Sequence, residues 1–405
     1  MPTAVTAQQA RTPTQEPGRL AARFLLPLIA LATAVTAANI YLAAPLLPLI
    51  ARDFGSTPSA VAWVASVAQF GYAAGLLVFA PLGDTVNRRR LVAVLSLVTA
   101  AALVAGAMSA GTTALAAAVL IASAATVVPQ LLVPLVAQRA PADRRARHVA
   151  AVIAGLFTGI VAARVLGGLA GQAFGWRAVF VGAAVLTAAL GLLTAYALPV
   201  EHRAARTGSL FYGLAALPSV VRRSPDLWRA CVRQAGMYGA WSALWTSLAL
   251  LLTAEDATGY GLTTATAGLF GLFGLAASVV APLAGGFVDR FGAAKVVRSA
   301  YLLAAASVPL FWLGGHVLWA LFVAAIAVHA ALVASHVANQ TLALTTTSTP
   351  ATANTAYVVA GFAGGAIASA LAGSAFTHFR WGGVCAVAGV WLVLGWATTT
   401  TAVRR

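Results

Sequence analysis

Two aspartates, Asp84 and Asp289, and two tryptophans, Trp176 and Trp381, stand the same 205 positions apart in a chain of 405 residues. Both pairs have matching neighbours. APLGDTVNRRRLV (80 to 92) answers to LAGGFVDRFGAAKVV (283 to 297), and AFGWRAVFVGAAV (173 to 185) answers to HFRWGGVCAVAGV (378 to 390). One offset shared by two unrelated motifs means that the chain carries the same half twice, in parallel order. Any fold it adopts must be built from two copies of one unit.

Hydrophobic residues make up 61% of the chain and charged residues 8%, against roughly 25% charged in soluble domains. Runs long enough to cross the roughly 30 Å hydrocarbon core recur twelve times, at 25 to 50, 58 to 81, 91 to 110, 113 to 138, 147 to 173, 177 to 198, 230 to 254, 263 to 288, 294 to 314, 317 to 341, 354 to 376 and 382 to 400. Their length excludes a barrel, whose strands need only about ten residues, so the spans are helices that satisfy their own backbone. The fold expected is all-α: a polytopic membrane protein with twelve transmembrane helices in two pseudo-symmetric six-helix bundles. Duplicated membrane bundles of this kind are a transporter organisation.

Charge sets the orientation. Of 25 basic residues, Arg52, Arg177 and Arg380 fall in one set of loops and Arg164 inside a span, and the rest fall on the opposite side. That side is expected to be cytoplasmic, with both termini on it. The net charge of +16 is spread over short loops rather than gathered on one face, which argues against nucleic acid as a partner. One lysine, Lys295, against 24 arginines is the usage of a GC-rich bacterial genome, so the expected location is a bacterial inner membrane. Cys231 and Cys385 offer neither a disulfide framework nor metal-ligand spacing, and no cofactor is expected.

The expected organisation is a disordered tail (1 to 23), a first bundle (24 to 200), a cytoplasmic linker (201 to 229) and a second bundle (230 to 405). In the linker, Leu210, Phe211, Leu214 and Leu217 recur at helical spacing before a group of arginines. This suits either a helix lying in the interface or a plain connector.

Six helices, a linker and six more, with an acidic and basic motif after the second helix of each half, resemble the major facilitator superfamily. The second copy (Gly285, Asp289, Arg290, Gly292, Lys295) is nearer that signature than the first (Asp84, Arg88, Arg89, Arg90), where Ala80 and Asn87 replace glycines. NIYLAAPLLPLIARDFG (39 to 55), VVPQLLVPLVAQRAPADRRAR (127 to 147) and GLFTGIVAARVLGGLAGQAFGWRAVF (155 to 180) look like its drug-efflux branch, the arabinose-efflux-like permeases. The last segment is similar to the fifth-helix antiporter motif, with Gly159, Gly167 and Gly168 in place and Arg164 where the family has proline. The resemblance implies alternating access around a midplane cavity and proton-coupled export of a small, partly apolar compound. A uniporter or importer of a sugar-like or anionic solute is the alternative. A monomer suffices for either.

None of the nine acidic residues lies in the middle of a span, although proton-coupled relatives commonly use a buried carboxylate. Arg164 is deep in a span with no evident counter-ion. It either meets an anionic or carbonyl-bearing substrate or is a structural arginine bound to carbonyls, Gln130 or a tyrosine. His329 and His336, seven apart and so on one helix face, with Asn339 and Gln340 beyond them, are candidates for carrying protons or are only hydrogen-bonded polar residues. Asn39, Tyr41, Gln69, Tyr72 and Gln130 complete the candidate cavity with the aromatic stripe Tyr238, Trp241 and Trp245. Such a stripe equally serves packing.

Glycine faces on the fifth helix (Gly155, Gly159, Gly167, Gly171) and the eleventh (Gly361, Gly364, Gly365, Gly373) suit either the seam between halves or packing within one half. Asp84 with Arg88 and Arg89, and Asp289 with Arg290, form the expected cytoplasmic gate. Exposed pairs of this kind are worth only about 0 to 1 kcal/mol, which fits a latch that opens. The loop between helices 10 and 11, TTTSTPATAN (345 to 354), has no charge. A membrane enzyme would need a nucleophile and base or a metal constellation, and no such motif occurs.

Overall fold

The structure, a computed structural model, describes residues 22–79, 82, 86–139, 145–198, 218–255, 259–345 and 350–399. Asp84, the tail before residue 22, the apolar stretch of the linker and residues 346–349 lie outside the described residues. Every regular element among those described is helical.

Among the described residues ten helices are long and apolar enough to cross a bilayer, and they yield twelve spans for two physical reasons. First, Pro350–Trp396 is helical over 47 residues, which at 1.5 Å per residue would run about 70 Å, twice the hydrocarbon core. It breaks at Arg380 (φ 53, ψ −149), dividing spans 11 and 12. Second, span 8 is assembled from three short pieces, Thr264–Leu269, a 3₁₀ segment Phe270–Leu275, and Ala276–Phe291.

The other spans are as follows. Span 1 is Ala22–Tyr41, extended by the short turns Ala44–Leu46 and Leu47–Asp53; span 2 is Pro58–Val61 with Trp63–Phe79; span 3 is Arg88–Ala107. Span 4 is Thr112–Ala125 with Val128–Arg139, span 5 Arg145–Phe174, span 6 Trp176–Ala197, span 7 Pro225–Thr253, span 9 Ala293–Leu313 and span 10 Leu318–Thr345. The sequence predicts spans 1 and 4 as unbroken runs. Their helices stop at Tyr41 and Ala125, four residues before Pro45 and Pro129, which lack the N–H for those carbonyls and whose rings clash with them.

The duplication extends to the backbone. Gly175, which precedes Trp176, has φ 83, and Arg380, which precedes Trp381, takes the same left-handed sign in a residue that adopts it only at a cost. Both tryptophans are buried. Each half therefore turns into its last span on a left-handed residue followed by a buried indole. The starts of spans 3 and 9 also correspond. Asn87 caps span 3 by accepting from the Arg90 backbone N–H (3.2 Å), whereas span 9 begins on Gly292 at φ 84.

Glycines let the helices touch by backbone, and they serve both of the uses open to them. A Cβ on Gly155 or Gly159 would lie 2.4 or 1.9 Å from the carbonyl oxygens of Ala30 and Ala34, so these two bind span 5 to span 1 inside the first half. Gly364 packs likewise on Ala235 of span 7. Gly168, Gly365 and Gly373 face the other half, where a Cβ would come within 2.8 Å of the Thr264 carbonyl oxygen, 2.3 Å of Gln69 Oε1 and 3.1 Å of Ala62 Cβ.

The two halves meet at the end that carries Arg52, Arg177 and Arg380. There Arg52 pairs with Glu255 across the seam (2.6 Å), and the short helix Pro58–Val61 packs on span 11. Further in, Tyr72 packs on Phe362 with ring centroids 4.5 Å apart. At the opposite end Val128–Arg139 packs on spans 1, 3 and 5 of its own half.

Replacing Gly159 by leucine drives side-chain atoms into the backbone of span 1 and is expected to cost about 3 kcal/mol or more. Thermal unfolding of the detergent-purified protein checks this. Gly389→Ala, where nothing lies within 4 Å of the added carbon, is expected to melt like the wild type.

Candidate functional site

The seam is built on span 5. Gly168 and Gly268 oppose each other, and a Cβ on Gly268 would lie 2.6 Å from the Arg164 carbonyl oxygen. One turn on, a Cβ on Gly271 would lie 2.7 Å from Arg164 Cβ. Span 8 is therefore drawn onto span 5 where Arg164 projects. Gly268 ends the helical piece before it, and Gly271 and Gly274 stand three apart in the 3₁₀ segment, the repeat of that turn.

Arg164 is 7% exposed. Its guanidinium carbon lies 5.2 Å from the Tyr41 ring centre, 5.1 Å from Trp241 and 5.3 Å from Trp245. Among the described residues neither a carbonyl nor Gln130, which donates to Tyr72, holds it, and Nη1 is buried without a hydrogen-bond partner. A lone guanidinium at this depth costs about 2.5–3.5 kcal/mol on insertion scales. Three desolvated cation–π contacts at about 1–2 kcal/mol each offset that, so the charge is tolerated without a carboxylate.

Aromatic contacts extend this cage across the seam. Tyr41 and Tyr238 join hydroxyl to hydroxyl from opposite halves. Tyr238 packs on Trp241 (5.3 Å) and on Phe362 (5.0 Å), and Trp241 and Trp245 lie nearly parallel at 13° with 6.3 Å between centres. Beside the rings is a polar knot drawn from spans 2, 7 and 11. The Gln69 amide nitrogen donates to Ser242 (2.6 Å) and Ser369 (3.2 Å), Ser242 bonds Ser369 at 2.9 Å, and Ser369 bonds Thr246 at 3.1 Å.

His329 sits edge-on to Trp245, with centroids 4.4 Å apart. The Trp241 indole N–H donates to His329 Nε2 (3.2 Å), and His329 Nδ1 lies 2.8 Å from the Ala325 carbonyl oxygen. An indole N–H can only donate and a carbonyl can only accept. The ring is thus the neutral Nδ1–H tautomer, and a proton on Nε2 would face the indole N–H donor to donor.

The remaining candidates are distributed around this centre. Tyr72 accepts from the Gln130 amide nitrogen at 3.3 Å, at the edge of the seam. Asn39 donates to Thr187 (2.9 Å) within the first half, its Oδ1 buried and unpartnered. His336 is in the second half, where the Tyr357 hydroxyl lies 3.3 Å from Nδ1 and donates to Gln234 at 2.6 Å. Asn339 accepts from Arg233 Nε (2.8 Å) and donates to the Ala230 carbonyl (2.8 Å), and Gln340 donates to Asn354 (2.8 Å). These last three tie spans 7, 10 and 11 together.

Of the expected gate, Arg88 is buried at the start of span 3 and Arg89 lies 5.8 Å over the Tyr196 ring. Arg290 rests 5.1 Å over Phe291, and Asp289 is exposed with no ion pair among the described residues. Asp84 lies outside the described residues. Gly167 lies against Pro45, 3.6 Å from a notional Cβ.

Sequence reading missed Ser242, Thr246, Ser369, Phe362, Tyr357, Gln234 and Arg233. Ser242 and Thr246 are four apart beside the tryptophan stripe, a polar line that helical spacing could have disclosed. Ser369 and Phe362 carry no comparable signal.

Twelve apolar spans in two repeats about a shared aromatic and polar seam are the architecture of a secondary membrane transporter. A Major Facilitator Superfamily profile matches residues 29–268. A Streptomyces coelicolor chain described as a transporter is 81% identical over 403 residues, covering 100% of this chain and 93% of that one. The chloramphenicol resistance protein of Streptomyces lividans is 34% identical over 302 residues, 71% of each chain. Among solved structures, the nucleoside transporter NupG superposes with a TM-score of 0.72 over 92% of this chain and 98% of that one at 16% identity, a likeness of fold alone. The chain belongs to the major facilitator superfamily.

Trp241→Phe keeps a ring under Arg164 and removes the donor to His329. It is expected to cost about 1 kcal/mol, whereas Trp241→Ala, which also empties the cage, is expected to cost about 3–5 kcal/mol. Chemical or thermal unfolding of the two purified variants measures the difference.

Proposed function

We propose that this chain is a proton-coupled exporter of a small, partly apolar compound, working by alternating access in a bacterial inner membrane with both termini in the cytoplasm. The observation that carries the reading is the Arg164 cage. It is the buried charge of the seam, and its walls come from both halves, so any movement of one half against the other remakes it. The proposed moving bodies are residues 24 to 200 and 230 to 405, joined by the linker 201 to 229. Asp84, Arg88, Arg89, Asp289 and Arg290 serve as the cytoplasmic gate. With the orientation given by basic residues, the closed end of the seam faces outward.

His329 is the proposed coupling group. The neutral tautomer set by Trp241 and Ala325 cannot take a second proton without releasing the indole, so protonation and seam geometry are linked through one side chain. His336, two turns along the same helix, is the second candidate in the proton path. The chloramphenicol resistance relative supports export. The lack of a carboxylate in the middle of any span supports the other reading, uniport or uptake of an anionic or sugar-like solute, in which no proton is carried.

The test is growth of an efflux-deficient bacterial host on a panel of toxic compounds, with wild type, Arg164→Ala and His329→Ala at equal membrane levels. The expected outcome is protection by the wild type against some compounds, lost in both variants and abolished when the proton gradient is collapsed. Protection that survives gradient collapse removes proton coupling, and protection that survives His329→Ala removes that histidine as the coupling group. A wild type that protects against nothing removes drug export.

A further inference from the structure

Arg164 is a donor-rich side chain that donates to no acceptor among the described residues. Its guanidinium offers five N–H groups in a planar fork, and the partners around it are ring faces, which take charge but accept no directed hydrogen bonds. Nη1 is buried and unpartnered.

Two small voids lie against it. One, of about 30 Å³, is lined by Arg164 and by Pro45, Trp245, Gly268 and Phe270. The other, of about 10 Å³, lies among Arg164, Tyr41, Gln69, Trp241 and Ser242. Each draws on both halves and has room for about one water or one ligand oxygen.

No group facing the guanidinium carries a negative charge. Tyr41 and Tyr238 are bonded to each other, Gln69 and Ser242 are amide and hydroxyl, and His329 is neutral by its partners. The acidic residues among those described are Asp53, Asp226, Glu255 and Asp289. Asp53 and Asp226 pair with Arg177 and Arg229, and Glu255 pairs with Arg52 at the outer end.

We propose that Arg164 binds the negative charge of the transported compound, so that the cargo is a small monoanion with a flat apolar body, such as an aromatic carboxylate. This rests on the reading of the seam as the transport site. The guanidinium fork matches a carboxylate in two parallel N–H to O bonds. The voids lie beside the guanidinium where its oxygens would go, and Trp245 lines both and Trp241 the smaller, so that indole surface adjoins the bound group. As the halves part, the voids join into one cavity with Arg164 at its base. The cargo supplies the counter-ion that the protein lacks.

The test uses the full-length protein purified in detergent. Thermal shift and intrinsic tryptophan fluorescence are titrated with benzoate and 1-naphthoate, and with benzamide and benzylamine as neutral and cationic counterparts, in wild type, Arg164→Gln and Arg164→Lys. Both carboxylates are expected to give saturable responses in the wild type, with no response to the amide or the amine. Affinity is expected to fall on the order of 30-fold or more in Arg164→Gln and by less in Arg164→Lys, which keeps the charge and loses the fork. Without ligand, Arg164→Gln is expected to melt within a few degrees of the wild type, because the desolvation cost of the charge and the three ring contacts that offset it are lost together. Should that variant fail to fold, Arg164→Lys and the comparison of carboxylate with amide still decide the matter.

Carboxylate binding unchanged in the variants, amide or amine binding as tightly as the acids, or a wild type that binds neither acid would each overturn the assignment. Failure here with protection intact in the growth panel removes the anion and leaves the exporter. Binding here with no protection removes the exporter and leaves the anion site.

Discussion

A guanidinium held at membrane depth without a counter-ion is the constraint around which the rest of this fold is arranged. Arg164 is tolerated because three aromatic faces from two different halves close on it. Those faces reach it only because spans 5 and 8 touch backbone to backbone through Gly168, Gly268 and Gly271. A methyl group at any of the three would push the spans apart. The cage, the break in span 8 and Gly168 of span 5 all serve to bring the ring faces onto that one charge.

The same cage links charge to conformation. Trp241 lies under Arg164, packs on Tyr238 and donates to His329. A change at any of these partners is felt by the others through one indole. The end of the seam that carries Arg52 and Glu255 is held by weaker means. Arg52 and Glu255 are 70% and 75% exposed, and pairs that exposed contribute about 0–1 kcal/mol. They guide closure without locking it. Together these features describe an interface whose costly element is central and whose outer contacts separate easily.

Much of the architecture was legible in the sequence because a bilayer imposes long-range order on composition. Span count, helical class and the two halves follow from hydropathy and from an offset repeated at Asp84, Asp289, Trp176 and Trp381. Arg164 was also conspicuous, as a charge in an apolar run. Its solution was not legible, since Tyr41 and Trp241 lie more than a hundred and more than seventy residues away, respectively, and a cation over a ring leaves no periodic trace. The 3₁₀ turn of span 8 was signalled by three glycines at a spacing of three, a pattern masked by the hydropathy around it. Arg380 gave no local sign of its left-handed backbone. Only its alignment with Gly175 in the first repeat discloses it.

The central claim is that the halves part and rejoin about the Arg164 cage. The most direct measurement is a spin-label distance across the outer end, with labels on Arg52→Cys and Glu255→Cys, Cys231 and Cys385 replaced by alanine, and the protein in lipid nanodiscs. It would be taken without ligand, with benzoate, and between about pH 5 and 8, where a histidine changes charge. The account expects a short distance like that seen here together with a longer one, in proportions that shift between these conditions. A single short distance under all of them would contradict it, because the seam would then be a fixed interface and Arg164 a permanently buried structural charge.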